Sequence, residues 1–136
     1  MNPNYITPLD TPHRGWRYGS DLAVYTERLV NGRLLAASYV HDGIPLRPTA
    51  EHTDTPAFDL VIDGQSAAFG WELVAWEQWT ESADVACGRL QLRHTTLPVA
   101  LAVTTRAAGH GFFRRSLALT NLSTERTLGL TALTPW

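Results

Sequence analysis

The stretch "VYTERLVNGRLLAASYV", residues 24–40, constrains the fold more than any other part of the chain. Asn31-Gly32 between two apolar runs is a hairpin signal, because a type I′ turn needs positive φ at both central positions. It predicts strands near 22–30 and 33–40. Alternation with a period of two, the mark of a half-buried strand, recurs downstream. In "LQLRH" (90–94), Leu90, Leu92 and His94 share one face. In "LPVALAVTTRA" (97–107), Leu97, Val99, Leu101 and Val103 share a face of the other parity, so Thr95-Thr96 marks the connection. In "FFRRSLALTN" (112–121), Phe113, Arg115, Leu117, Leu119 and Asn121 fall on one face. Phe112, Arg114, Ser116, Ala118 and Thr120 fall on the other. "NLSTER" then turns the chain into a strand carrying Leu128, Leu130 and Ala132. "FDLVID" (58–63) is a short strand ending at Asp63-Gly64, and Gly109-His110-Gly111 reads as a hairpin turn. No segment sustains a helical apolar stripe for three turns. Seven or eight short strands separated by turn signals predict an all-β chain, an antiparallel β-sandwich.

Residues 1–20 hold three of the eight prolines and two glycines with no apolar period, and are expected to be an extended lead-in to a sandwich domain over 21–136. Residues 41–57 carry three more prolines among polar residues and read as a loop, either functional or covering a sheet edge.

Composition narrows function by exclusion. A net charge of −2 gives no basic footprint for nucleic acid or an anionic membrane. All basic residues are arginine, so a lysine Schiff base, P-loop lysine or lysine general base is ruled out. Cys87 is the single cysteine, which excludes an intrachain disulfide, and its small apolar neighbours predict a buried packing thiol. No apolar run approaches the roughly 18 residues of a membrane span, and no signal-peptide pattern opens the chain, so a cytoplasmic protein is expected. His13, His41, His52, His94 and His110 show no metal-ligand spacing, and there is no nucleophile elbow. Neither a metal nor an organic cofactor is expected, and no catalytic residue is assigned.

The positive signal is aromatic. Trp71, Trp76 and Trp79 fall within nine residues, together with Glu72 and Glu77. The C–H face of a sugar packs on a flat apolar ring while its hydroxyls bond nearby carboxylates, so Trp71, Trp76, Trp79 and Glu72 are candidate carbohydrate-binding residues. The reading that weighs more is structural: tryptophan is usually buried, and three in one segment fill a sandwich core. A regular strand would place Trp71 and Trp79 on one face and Trp76 on the other. Arg115 lies on an apolar face and needs either a carboxylate partner or an exit to solvent at the sheet's end; a structural ion pair is expected, with Asp84 or Glu72 as the candidates.

The segment "FFRRSLALTNLSTERTLGLTALTPW" resembles part of the N-terminal β-supersandwich domain of alpha-galactosidase-like glycoside hydrolases, the melibiase clan. The matching elements are Arg115, Leu117, Leu119 and Asn121, then Thr134-Pro135-Trp136, with "FDLVIDGQSAAFGWELV" and "LQLRHTTLPVALAVTTRA" similar to earlier strands of that domain. The resemblance covers roughly residues 58–136 and implies a galactose-mutarotase-like supersandwich, of which this chain is part. In that family a (β/α)₈ barrel follows and carries both catalytic aspartates, the nucleophile within a Lys-x-Asp motif. Without lysine, that motif is not in this chain. The resemblance therefore implies a non-catalytic N-terminal domain, or a stand-alone relic of one, that supports a catalytic barrel or a neighbouring subunit, contributes to a homo-oligomer, and sits near galactosides or other sugars. Leu133 and Trp136 are then expected to form an apolar seam. A stand-alone lectin-like module, binding sugar through the 71–79 tryptophans and the 41–57 loop, is the other expectation.

Overall fold

The computed structural model describes residues 4–11, 13–45, 56–109 and 112–135. Among these residues twelve strands follow in order: β1 (Tyr5–Leu9), β2 (Gly15–Ser20), β3 (Ala23–Val30), β4 (Arg33–His41), β5 (Ile44–Pro45), β6 (Phe58–Ile62), β7 (Gln65–Ser66), β8 (Trp71–Ser82), β9 (Val85–His94), β10 (Val99–Ala107), β11 (Phe113–Asn121) and β12 (Leu130–Pro135). They form three antiparallel sheets. One is the meander β1-β2-β3-β4-β5, a second is β11-β10-β9-β8, and a third, smaller sheet is β12-β6-β7. The chain is an antiparallel β-sandwich. Among the described residues no helix is long and apolar enough to cross a membrane.

Local chemistry sets the turns. Asn31 and Gly32 take φ of 50° and 77°, as the type I′ hairpin between β3 and β4 requires. Asp42-Gly43 and Asp63-Gly64 repeat that geometry, and so link β4 to β5 and β6 to β7. The 41–57 stretch thus begins with a hairpin; its residues 46–55 lie outside the described residues. Its far end rejoins the fold where Pro56 bridges Leu35 and the Ala57 amide donates to the Leu34 carbonyl.

Residues 5–9 and 15–20 are strands, not an extended lead-in. Of the three prolines there, Pro8 lies within the described residues, in β1, an edge strand that pairs on one side only. Behind it β2 buries Trp16 and Tyr18 completely, on alternate positions that two interspersed glycines obscure in the sequence.

The two large sheets share one core. β10 shows the expected alternation without a break, burying Val99, Leu101, Val103, Thr105 and Ala107. Across from it lie Trp16, Tyr18, Tyr25, Leu34 and Ala36 of the five-stranded sheet. Aromatic contacts cross the sandwich, Trp16 to Trp76 at 5.6 Å and Tyr25 to Phe113 at 6.4 Å between ring centroids.

At the centre of this core is a charged pair. Arg115 of β11 reaches across the sandwich to Glu27 of β3, Nη1 to Oε2 and Nη2 to Oε1, both at 2.7 Å. Both side chains are fully enclosed. Tyr18 donates to Oε1 at 2.6 Å and Tyr25 to Oε2 at 3.2 Å, so each carboxylate oxygen accepts two hydrogen bonds. The guanidinium also donates from Nε and Nη2 to the Thr105 hydroxyl, at 3.1 and 2.9 Å, and packs against the rings of Tyr18 and Tyr25. Arg115 therefore has the buried carboxylate partner that its face demands, but the partner is Glu27. Glu72 and Asp84 are both exposed, Glu72 on the outer side of its sheet and Asp84 in the β8–β9 hairpin turn, so neither reaches it.

Burial opposes the positive charge on Arg115, yet the Glu27 carboxylate and the two tyrosines more than offset it, and its pKa lies above the ordinary arginine value. Burial, reinforced by the Glu27 charge, likewise lifts Tyr18 well above the usual phenol range. Truncating one member of such a pair strands the other charge in a low-dielectric core. R115M is expected to lower stability in urea unfolding by about 3–5 kcal/mol, and E27Q added to R115M to recover part of that loss. A loss near zero for R115M would show that the pair does not join the sheets.

Candidate functional site

The outer face of β8–β11 presents a lattice fixed by strand register. One row across the four strands reads Trp79, Cys87, Arg106, Arg114; the next reads Glu77, Arg89, Thr104, Ser116. Below these lie Ala75, Gln91, Ala102, Ala118, then Glu72, Arg93, Ala100, Thr120. The upper rows are aromatic and charged. In the lower rows, small alanine side chains leave a shallow depression of about 320 Å³, rimmed by Gln91, Arg93, Thr120, Val74 and Leu122.

A β-bulge decides where the tryptophans point. Register slips between Leu73 and Ala75, leaving Val74 as the extra, exposed residue. Trp71 and Trp76 consequently both face inward and Trp79 faces outward, which corrects the pairing expected for a regular strand. Trp71 is 2% exposed, its indole N–H donates to the Ala67 carbonyl at 2.7 Å, and its ring meets Phe58 and His94 edge-on. It is core and offers no face to a ligand. Trp76 is half-buried, packed on Trp16 and lying over Gly88. A Cβ at Gly88 would come within 2.6 Å of the Trp76 ring, so only glycine admits this close approach. Trp79 is half-buried on the outer face. The Arg89 guanidinium stacks 5.1 Å from its ring centroid while donating to Glu77 at 3.0 Å and Thr104 at 3.2 Å. Glu72 is exposed, opposite Arg93 and four strand positions from the Glu77–Arg89–Trp79 group once the bulge is counted. Of the four sequence candidates, the structure thus places Trp79 and Glu72 on one surface and Trp71 and Trp76 behind it.

The face has members that sequence reasoning did not single out: Arg89, Arg93, Arg106 and Gln91. Their signal is the alternate parity of β9 and β10, readable only once the strand order is known. His94 is structural. Its Nδ1 accepts from the amides of Thr96 and Leu97 at 3.1 and 3.0 Å, which leaves the proton on Nε2 to be donated to the Phe69 carbonyl at 2.9 Å. His52, His110 and Trp136, and the Leu133 side chain, lie outside the described residues, and the apolar seam expected of the last two lies there as well. Among the described residues no group of three or more His, Cys, Asp or Glu is arranged to hold a metal ion.

Glu81 and Cys87 on this face are both shifted away from neutrality. The Arg106 guanidinium, 2.9 Å from Glu81, and then the Cys87 thiol hold the Glu81 carboxyl below its ordinary pKa. A general acid near neutrality needs the opposite shift. Burial, then the bond to Glu81, pushes the Cys87 thiol up to about 11. The raised thiol pKa favours folding below the ordinary thiol value, and that contribution is lost as pH rises through about 11. The lowered Glu81 pKa favours folding above the ordinary carboxylate range, and that contribution is lost as pH falls through the depressed value.

Comparison of the chain with protein-family models, with curated proteins and with solved structures finds no match in any of the three.

Cys87 lies between Trp79 and Arg106 in their row yet is 1% exposed. At pH 8 it is expected to react with an aromatic disulfide reagent at least about a hundredfold more slowly in the folded protein than in urea. Equal rates in the two states would contradict both the burial and the raised pKa.

Proposed function

We propose that this chain is a non-catalytic, carbohydrate-contacting β-sandwich domain that works beside a glycoside-hydrolase catalytic domain. One observation carries the reading: Trp79 is the tryptophan turned outward on the β8–β11 sheet, and it is held there by the Arg89–Glu77 pair, with Thr104 and Ser116 in the same row as that pair. Such a ring, clamped from one side, offers a rigid apolar face at low entropic cost, and the surrounding arginine, glutamine and threonine groups supply directional hydrogen bonds to hydroxyls.

The non-catalytic half of the reading rests on the carboxylates. Glycoside hydrolysis uses two carboxyl groups flanking the bond, one of them with a raised pKa. Here Glu77 and Glu81 are ion-paired to arginines, and Glu27 is enclosed in the core with both oxygens occupied. The depression below, floored by Ala100, Ala102 and Ala118 and rimmed by exposed Val74 and Leu122, is suited to packing by the adjoining domain. The supersandwich resemblance in residues 58–136 supports the association with galactoside hydrolysis.

Isothermal titration with galactose-containing oligosaccharides tests the reading. Wild-type protein is expected to bind in the millimolar range or tighter, and W79A to bind about tenfold more weakly while still unfolding cooperatively, because the ring lies outside the core. Absence of binding to wild type, or undiminished binding by W79A, would remove the carbohydrate reading.

A further inference from the structure

The row that begins at Trp79 ends at the opposite edge of the sheet in two arginines. Arg106 of β10 and Arg114 of β11 are direct cross-strand partners on the outer face. Directly opposed side chains start about 5 Å apart, so two like charges there repel and need an anion between or beside them. Arg106 has one, since its Nε donates to Glu81 at 2.9 Å. Arg114 is exposed and forms no ion pair among the described residues. Arg106 and Arg114, with Ala108, Gly109, Phe112 and Phe113, border a second shallow cavity of about 280 Å³, with no carboxylate among its described lining residues. Phe112 shares the outward parity of Arg114 and is 75% exposed beside it. A large apolar ring left in water next to an unneutralised arginine fork is an incomplete site, and its chemistry defines what completes it.

The geometry points to an acidic sugar residue as the ligand of this cavity, a carboxylate- or sulfate-bearing ring within the glycan whose neutral part meets Trp79. The inference rests on the carbohydrate reading above and names its substrate class. A guanidinium presents paired N–H groups that match a carboxylate or sulfate bidentately, and Phe112 supplies the flat apolar surface for the ring that carries the acid group. Trp79 and Arg114 are separated by three strand spacings, about 14 Å at ~4.8 Å each. An oligosaccharide lying across the strands can therefore contact the aromatic platform at one end and the arginine fork at the other. The chain's overall charge of −2 makes this local excess of positive charge a feature of the cavity rather than of the whole surface.

The test compares a neutral galactose trimer with two acidic trimers, a galacturonate and a sulfated galactose, by titration against wild-type protein and R114Q. Arg114 is exposed, so R114Q is expected to fold normally, which its urea midpoint checks. At 50 mM salt an acidic trimer, of either acid type, binds wild type about tenfold more tightly than the neutral one; R114Q and 0.5 M salt each abolish that advantage and leave neutral binding intact. Equal binding of acidic and neutral trimers, or an acid preference that survives R114Q, overturns the acid site while the carbohydrate reading stands. Failure of all three trimers to bind wild type overturns the carbohydrate reading itself. Binding of hexaglutamate with R114Q sensitivity, in the absence of acidic-trimer binding, overturns the assignment to a sugar.

Discussion

Two sheets that pack only through apolar side chains can slide on one another; a bidentate ion pair between them cannot. Arg115 and Glu27 stand 88 residues apart in sequence and 2.7 Å apart in space, one on the edge strand β11, the other in the middle of the five-stranded sheet. Burying two charges is costly unless every lone pair and proton finds a partner, and Tyr18, Tyr25 and Thr105 are the residues that meet that condition. All five positions are thereby coupled. β2 and β3 are aligned because Tyr18 and Tyr25 must converge on the same carboxylate, and β10 and β11 because Thr105 and Arg115 are cross-strand neighbours. Arginine is required for this by its planar fork, and a lysine in the same place would supply a single point of attachment.

The outer face inherits its order from that internal constraint. With Arg115 pointing inward, Arg114 and Ser116 must point outward, and the rest of the lattice follows strand by strand from register. Two bulges in β8 then tune the edge. The first turns Val74 to solvent and brings Trp76 into the core. The second, between Thr80 and Ser82, sets Glu81 where it can reach across β9 to Arg106. Bulges and glutamates on this long edge strand also discourage pairing with another chain, since they twist it and add charge.

Much of this was legible in the sequence, for identifiable reasons. The Asn31-Gly32 hairpin, the β9–β10–β11 meander and the all-β class follow from turn chemistry and period-two alternation, which are local. An ion pair at Arg115 was legible too, because an arginine flanked by Phe113 and Leu117 on one strand face needs either a carboxylate or an exit to solvent at the sheet's end. Its partner was not, since nothing in a linear pattern says which strand of the opposite sheet lies across. Strand β1 was hidden by a proline that an edge strand tolerates, β2 by the glycines beside its buried Trp16 and Tyr18, and the β4–β5 hairpin by a neighbouring proline-rich stretch that masked the Asp42-Gly43 signal. The tryptophan assignment failed at Trp76 for a different reason: one bulged residue reverses parity, and no propensity in "GWELVAWEQW" marks Val74 as that residue. The candidate site was accordingly half visible, with Trp79 and Glu72 named and the arginines of β9 and β10 unseen.

What joins fold to function here is the claim that an internally clamped sandwich presents Trp79 as its ligand-facing aromatic while the other described tryptophans serve the core. Indole N–H resonances report on this separately for each ring. In a ¹⁵N-labelled sample titrated with the oligosaccharide that binds best, the Trp79 indole signal is expected to shift progressively, with Trp16 and Trp71 stationary. Saturable binding that moves Trp16 or Trp71, or leaves Trp79 unmoved, would contradict it.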